Sequence, residues 1–255
     1  MRRPIIIALI SCALMFVVLL MFSEHGFVFK AMAEDKEEER FRLLREAMVK
    51  DQISDPPDYR NPVKDKKVLE AMLTVPRHLF VKPGYISRAY GDHPLPIGYG
   101  QTISQPYIVA LMTEILHVEP QHMVLEVGTG SGYQAAILSS LVKAVYTVEI
   151  VKSLGRQATE RLRQLNYRNV HVKIADGYFG WKEHAPFDRI IVTCAATMVP
   201  PPLLQQLRPG GKICIPVGGQ YAVQYLTMVE KSEKGDITMR KMLPVRFVPL
   251  TRSLK

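Results

Sequence analysis

From Pro106 onward, short apolar runs alternate with longer stretches in which apolar residues recur every three or four positions. The first periodicity suits buried strands and the second suits helices packed on one face. In order the chain reads helix (PYIVALMTEILHV), strand (MVLEV), helix (YQAAILSSL), strand (AVYTV), helix (VKSLGRQATERLRQLN), strand (NVHVKIA), loop, strand (DRIIVTCA) and helix (PPLLQQL). Alternating strands and helices of this kind predict a parallel sheet covered on both faces. The ending differs: KICIPVG, AVQYLTMVEK and ITMRKMLPVRFVPL follow one another with Gly-Gly and Lys-Gly-Asp turns between them, so the sheet is expected to finish in antiparallel strands. No internal repeat is visible.

Upstream, Phe41, Leu44, Ala47 and Met48 recur at helical spacing and predict an amphipathic helix. Ser54 to Val63 (SDPPDYRNPV) holds three prolines and reads as a loop. A second helix, DKKVLEAMLTV, stops before Pro76, and Gly84 to Gln105 reads as a long irregular loop of the kind that carries function. Ahead of all this, Arg2 and Arg3 precede Ile5 to Phe22, an uncharged apolar run of 18 residues. That length meets the lower limit for a membrane span. Ala31-Met32-Ala33 resembles a signal-peptidase site, so residues 1–33 are either an anchor or a signal segment. A lipobox at Leu9 to Cys12 is weakened by the apolar residues that follow it. Lys30, Lys36 and Arg40 balance the leading arginines, so charge does not orient the segment.

With 255 residues, 47% apolar and 22% charged, the chain suits one large domain with an appendage. The formal charge of +9 is dispersed; Lys64, Lys66 and Lys67 form the tightest cluster and read as a solvated helix face. No aromatics are interleaved with them, which argues against a nucleic-acid platform. Of the three cysteines, Cys12 lies in the apolar segment, while Cys194 and Cys214 sit in strand-like runs as small buried residues. The histidines have no metal-ligand spacing, so no metal is expected.

The chemistry concentrates in VLEVGTGSGYQAA, Val124 to Ala136, where a strand feeds a turn with glycine at Gly128, Gly130 and Gly132 and then a helix. A dinucleotide site spaces its glycines G-x-G-x-x-G to hold a pyrophosphate. Here the order is acid-x-G-x-G-x-G, with Glu126 at the strand end. A carboxylate there repels phosphate and suits an ammonium, which points to S-adenosylmethionine: an ammonium, a sulfonium and no phosphate. About twenty residues on, Glu149 closes the next strand where an acid can accept both ribose hydroxyls, and Asp176-Gly177 follow the third strand, in position to face adenine. A NAD site and an ordinary strand-turn-helix are the competing readings of the same glycines.

Pro94 to Pro106 (PLPIGYGQTISQP) precedes the helix that leads to this strand, and Pro106 suits the first helical position, with Gln105 at the cap. Thr102 and Ser104 either cap that helix or, beside its free N–H groups, receive a carboxylate. Spacing alone leaves both open.

DHPLPIGYGQTISQPYIVALMTE, VLEVGTGSGYQAAIL, VYTVEIV, ADGYFGW, APFDRIIVT and PVRFVPL, taken together over roughly residues 41 to 251, resemble the protein-L-isoaspartate O-methyltransferase family. The resemblance implies an α/β, Rossmann-like, doubly wound and mostly parallel sheet with antiparallel C-terminal strands, behind an N-terminal helical extension and hydrophobic segment. It implies a methyltransferase domain over residues 34–255, with N-terminal helices and substrate loop in 34–105 and the cofactor core in 106–255. The implied activity is methyl transfer from S-adenosylmethionine to the free α-carboxylate of L-isoaspartyl residues in damaged peptides and proteins, the first step of their repair. Ser104 takes the catalytic role, and Thr102, Ile103, Ser104, Glu126, Gly128, Gly130, Glu149, Asp176, Gly177 and Thr251 are the implied cofactor contacts.

The sparse set of side chains agrees with that chemistry. A carboxylate is already ionised at neutral pH, so it needs positioning rather than a general base. Two stretches depart from the family pattern: the SDPPDYRNPV insertion, and Ala195, Ala196, Thr197 and Met198, where the family reads Ala-Ala-Pro before an acid and His. A methyltransferase of other specificity, acting on a nucleobase or a glutamine side chain, would need an Asp/Asn-Pro-Pro-aromatic turn after the fourth strand to grip a planar nitrogen group, where this chain has VTCAA. A tethered, non-catalytic cofactor-binding module is a third reading, against which Ser104, Glu126, Glu149 and Asp176 all stand intact. Because S-adenosylmethionine is made in the cytosol, a cytosolic domain with an uncleaved anchor is favoured over export after cleavage near Ala33.

Overall fold

The computed structural model describes residues 35–219 and 221–252. Ile5 to Phe22, Cys12 and Ala31 to Ala33 lie outside them. The chain divides into two compact units between Leu44 and Arg45. In the first, residues 35–44 are helical and Arg42 pairs with Glu39 at 2.6 Å on the exposed face. Among the described residues no helix is long and apolar enough to cross a membrane.

The second unit is built on a seven-stranded sheet. In chain order its strands are β3 (Met123–Val127), β4 (Ala144–Glu149), β5 (Val170–Ile174), β6 (Phe187–Val192), β7 (Leu207–Val217), β8 (Gln224–Lys231) and β9 (Ile237–Val245), arranged β5-β4-β3-β6-β7-β8-β9. The first five run parallel, and β8 and β9 return antiparallel. Burial follows the order: all six residues of β6 are buried, as a central parallel strand requires, whereas β9 is exposed along most of its length, as an edge strand is. Leu125, Val148, Ile190, Ile213 and Val229 fill the core. The order in which strands are added reverses between β3 and β6, the position at which open α/β sheets bind ligands beyond their strand ends.

Helices α2 (Lys66–Thr74), α3 (Pro106–Leu116), α4 (Tyr133–Ser139), α5 (Lys152–Gln164) and α6 (Pro201–Gln206) follow the predicted order, with α1 denoting the helical stretch over 35–48. The Asp65 carboxylate caps α2 by accepting from Lys67 N at 2.8 Å. Glu114 of α3 accepts from Lys64 N and Asp65 N, which fixes the start of α2 against α3. Lys64, Lys66 and Lys67 are exposed, and Cys194 and Cys214 are buried free thiols.

Two local readings change. The helix over Phe41 to Ile53 ends in a wider π-helical turn, Val49–Ser54. Gly84 to Gln105 is ordered: after 3-10 turns it forms an antiparallel hairpin of β1 (Leu95–Gly98) and β2 (Gln101–Ile103), with Leu95 opposite Ile103. The hairpin turns through Gly98, Tyr99 and Gly100, all at positive φ, and buries Leu95, Ile97 and Ile103. Strands of four and three residues are too short for periodicity to reveal. The SDPPDYRNPV insertion packs over α3: Arg60 pairs with Asp92 at 2.6 Å and lies 4.5 Å over the Tyr107 ring, whose hydroxyl donates to Asn61 O.

After β9 the chain crosses back over the strand ends as a strap, residues 246–252. Buried Gln224 holds its beginning, accepting from Phe247 N at 2.6 Å and donating to Phe247 O at 3.1 Å. Gln224→Ala removes both bonds and is expected to cost about 1–3 kcal/mol. Amide exchange read by mass spectrometry should show residues 247–250 losing protection before the sheet does; unchanged exchange there would mean the strap is held otherwise.

Candidate active site

Parallel register places Glu126 beside Thr147 and Val127 beside Val148, so β3 and β4 end side by side. Val148 O then accepts from Gly128 N at 2.9 Å, drawing the glycine turn across the end of β4. Glu149 secures it: one carboxylate oxygen accepts from Gly130 N at 2.7 Å and the other from Val151 N at 2.8 Å. Thr193, at the end of β6, donates its hydroxyl to Gly128 O at 2.7 Å. Gly128 and Gly130 adopt φ of +99° and +54°, and a Cβ at Gly128 would stand 2.5 Å from the Thr193 hydroxyl. The cradle therefore accepts only glycine at that turn.

A cleft opens above these strand ends. The turn and β4 supply Gly128, Gly130, Glu149 and Val151; the hairpin supplies Gln101 and Thr102. Gly177, Thr193 and Cys194 close the far side, and Val248 to Thr251 of the strap form the roof. Ala195 fixes that roof, donating to Val248 O and accepting from Leu250 N, both at 2.8 Å. Among the described residues the cleft wall carries one charged side chain, Glu149, and neither lysine nor arginine. Such a wall does not compensate a pyrophosphate, but it suits a cationic or neutral ligand. A carboxylate offers about four lone-pair directions, and backbone donors engage two at Glu149, leaving capacity for a pair of hydroxyls.

Beneath the turn, Glu126 is fully buried, and neither of its oxygens has a hydrogen-bond partner among the described residues. Burial, opposed by the neighbouring Thr147 hydroxyl and reinforced by the Glu149 charge, pushes its carboxyl up to about 8. An orphaned acid behind a glycine cradle fits a ligand that brings positive charge. S-adenosylmethionine, with its ammonium, sulfonium and ribose diol, meets both the cradle and the donor set.

Ser104 lies between β2 and α3. Gln105 is the helix cap and Pro106 the first helical residue, as expected, but the Gln105 side chain makes no capping bond and donates to Asp92 O at 3.2 Å instead. The Ser104 carbonyl accepts from Arg77 Nη2 at 2.7 Å, while Arg77 Nε donates to Ala89 O at 2.8 Å. Arg77 is wholly buried, its guanidinium 4.9 Å over the ring of Tyr133, the first residue of α4. Desolvation lowers it to about 10, so it remains a cation at neutral pH. One side chain thus fastens the Ser104 loop to the helix that leaves the glycine turn.

Six of the expected residues line the cleft together: Thr102, Gly128, Gly130, Glu149, Gly177 and Thr251. Ile103 is buried beside them, Ser104 is half-buried next to the wall, and Glu126 lies behind it. The side chain of Asp176 is engaged locally, accepting from Tyr178 N and pairing with Arg252 Nε, each at 3.0 Å. Gln101, Thr193, Arg77 and Arg252 were not anticipated. Thr193 had a readable signal, a polar residue ending the strand beside the switch point. Arg77 is a charge inside the apolar run VPRHLF, a pattern that asks for a buried partner.

A family model described as protein-L-isoaspartate(D-aspartate) O-methyltransferase matches residues 52–255. The protein-L-isoaspartate O-methyltransferase 1 of Cupriavidus necator is 60% identical over 186 residues, covering 73% of this chain and 72% of that protein. The protein-L-isoaspartate O-methyltransferase 2 of Shewanella sediminis is 46% identical over 238 residues, 93% of each chain. Among solved structures, one from Plasmodium falciparum, described as a protein-L-isoaspartate O-methyltransferase in complex with S-adenosyl-L-homocysteine, superposes with a TM-score of 0.66 at 28% identity, over 74% of this chain and 92% of that one. With most of its length under the family model and its glycine turn, Glu149 and hairpin in one cleft, the chain belongs to the protein-L-isoaspartate O-methyltransferase family.

Proposed function

We propose that the protein esterifies the free α-carboxylate of L-isoaspartyl residues in damaged peptides and proteins, using S-adenosylmethionine. The observation that carries this reading is the cleft wall itself: among the described residues, a glycine cradle with a single acid, Glu149, and no cation. When bound, S-adenosylmethionine supplies an electrophilic methyl group on a sulfonium. Glu149 accepts the ribose hydroxyls, and Glu126, behind the turn, balances the positive charge. Gly128 and Gly130 keep the floor free of side chains. Asp176 and Gly177 form the adenine end.

Ser104 orients the acceptor carboxylate by a hydrogen bond, and Arg77 holds the Ser104 backbone for that task. No residue has to remove a proton, because the attacking oxygen is already anionic. The remaining work is alignment and exclusion of water, and well-placed reactants can lower a barrier by roughly 7 to 11 kcal/mol. The hairpin carrying Thr102 and the strap carrying Thr251 enclose the site on two sides. Because S-adenosylmethionine is made in the cytosol, the catalytic domain works on the cytosolic side, whether or not residues 5–22 tether it to a membrane.

Three expectations test these roles. Ser104→Ala should lower kcat/KM for an isoaspartyl peptide about tenfold or more, the worth of a hydrogen bond to a charged group, while the dissociation constant of S-adenosylhomocysteine stays within about twofold. Equal turnover in the variant would remove Ser104 from the reaction. Glu149→Ala should weaken S-adenosylhomocysteine about tenfold or more in calorimetry; an unaltered titration would place the ribose elsewhere.

Glu126→Gln addresses the buried charge. The folded carboxyl near 8 lies above its value of 4.5 in the unfolded chain, so the folded state holds a proton that the unfolded state has released. Stability of the cofactor-free protein therefore falls as pH rises from about 4.5 towards 8 and levels off above that. Thermal melts should show the glutamine variant gaining on the parent across this window while binding cofactor less tightly. Parallel melting curves would contradict the buried acid.

A further inference from the structure

The strap roofing the cleft is fastened at three points of unequal character. At Phe247 both backbone groups are taken by buried Gln224, and at Val248 and Leu250 they pair with buried Ala195. The third point faces solvent. Arg252, its side chain about half exposed, pairs through Nε with Asp176 at 3.0 Å and lays its guanidinium 3.6 Å over the Tyr178 ring. Phe179, itself 56% exposed, is 5.2 Å away. Asp176 precedes cleft-lining Gly177, while Arg252 follows cleft-lining Thr251. One exposed side chain thus joins the roof of the cleft to its far side.

We propose that Arg252 is a positioning residue, a clasp that closes the strap over the adenine end of the bound cofactor and sets the rate at which cofactor and product exchange. The inference rests on the reading of the cleft as the S-adenosylmethionine site. Solvent-facing ion pairs and cation–ring contacts are weak and screened by salt, whereas buried backbone pairs are not. The strap therefore opens from its Arg252 end, pivoting on the Ala195 pairing. The same pair holds the Asp176 carboxylate, so the clasp positions the residue before cleft-lining Gly177 as well as the roof.

The test is the dissociation rate of radiolabelled S-adenosylhomocysteine from the full-length protein, chased with unlabelled ligand. Arg252→Ala should release it about fivefold faster with an unchanged melting temperature, the scale of one exposed charge pair plus one ring contact. Arg252→Lys, which keeps the charge and loses the planar stack, should fall between. Added salt should speed release from the parent and leave Arg252→Ala unaffected, a response that a merely structural role does not produce. Release at the parental rate in Arg252→Ala, or acceleration only in step with a lowered melting temperature, would overturn the clasp. Failure of the parent to bind S-adenosylhomocysteine at all would overturn the reading of the cleft and the clasp with it.

Discussion

Glu149 does two jobs with one carboxylate. It holds Gly130 N and Val151 N, so the turn leaving β3 and the helix start leaving β4 are referenced to the same pair of oxygens. Charge-assisted bonds of this kind are short and directional. Everything else in the cleft is placed from that point: Thr193 braces Gly128 from β6, Ile97 of the hairpin approaches Gly130, and the strap closes from above. Parallel pairing of β3 with β4 makes the arrangement possible, since only parallel neighbours bring both strand ends, with their free backbone donors, to one edge.

The charge distribution follows the same logic. A buried acid without a partner is costly in an empty protein, which is why Glu126 holds its proton to unusually high pH. Such groups collect at functional sites because a ligand of opposite charge makes them favourable. On the other side of the turn the reverse case appears in Arg77, a buried cation held by two backbone carbonyls and an aromatic ring. It stabilises the loop that presents Ser104 without adding a mobile positive charge to the cleft wall.

Much of this was legible in the amino-acid pattern. Buried parallel strands announce themselves as continuous apolar runs, and the three acidic strand ends with their glycines needed no coordinates. The hairpin escaped because its strands are too short for a period and its turn depends on Tyr99 at positive φ, which no rule assigns to tyrosine. The role of Arg77 was hidden because it runs through the Ser104 backbone carbonyl, and every residue has one. Asp176 shows a further limit: its place after β5 was readable, but its pairing with Arg252, 76 residues away, was not.

A calorimetric competition tests most directly whether the cleft wall, acid-lined and cation-free among the described residues, selects against a pyrophosphate. S-adenosylhomocysteine and NAD share adenosine, and only the second carries a pyrophosphate. Titrated into the protein at neutral pH, S-adenosylhomocysteine should bind and NAD at a hundredfold excess, roughly the span of about 2.7 kcal/mol, should leave that isotherm unmoved. Displacement by NAD at concentrations comparable with S-adenosylhomocysteine would contradict that selection.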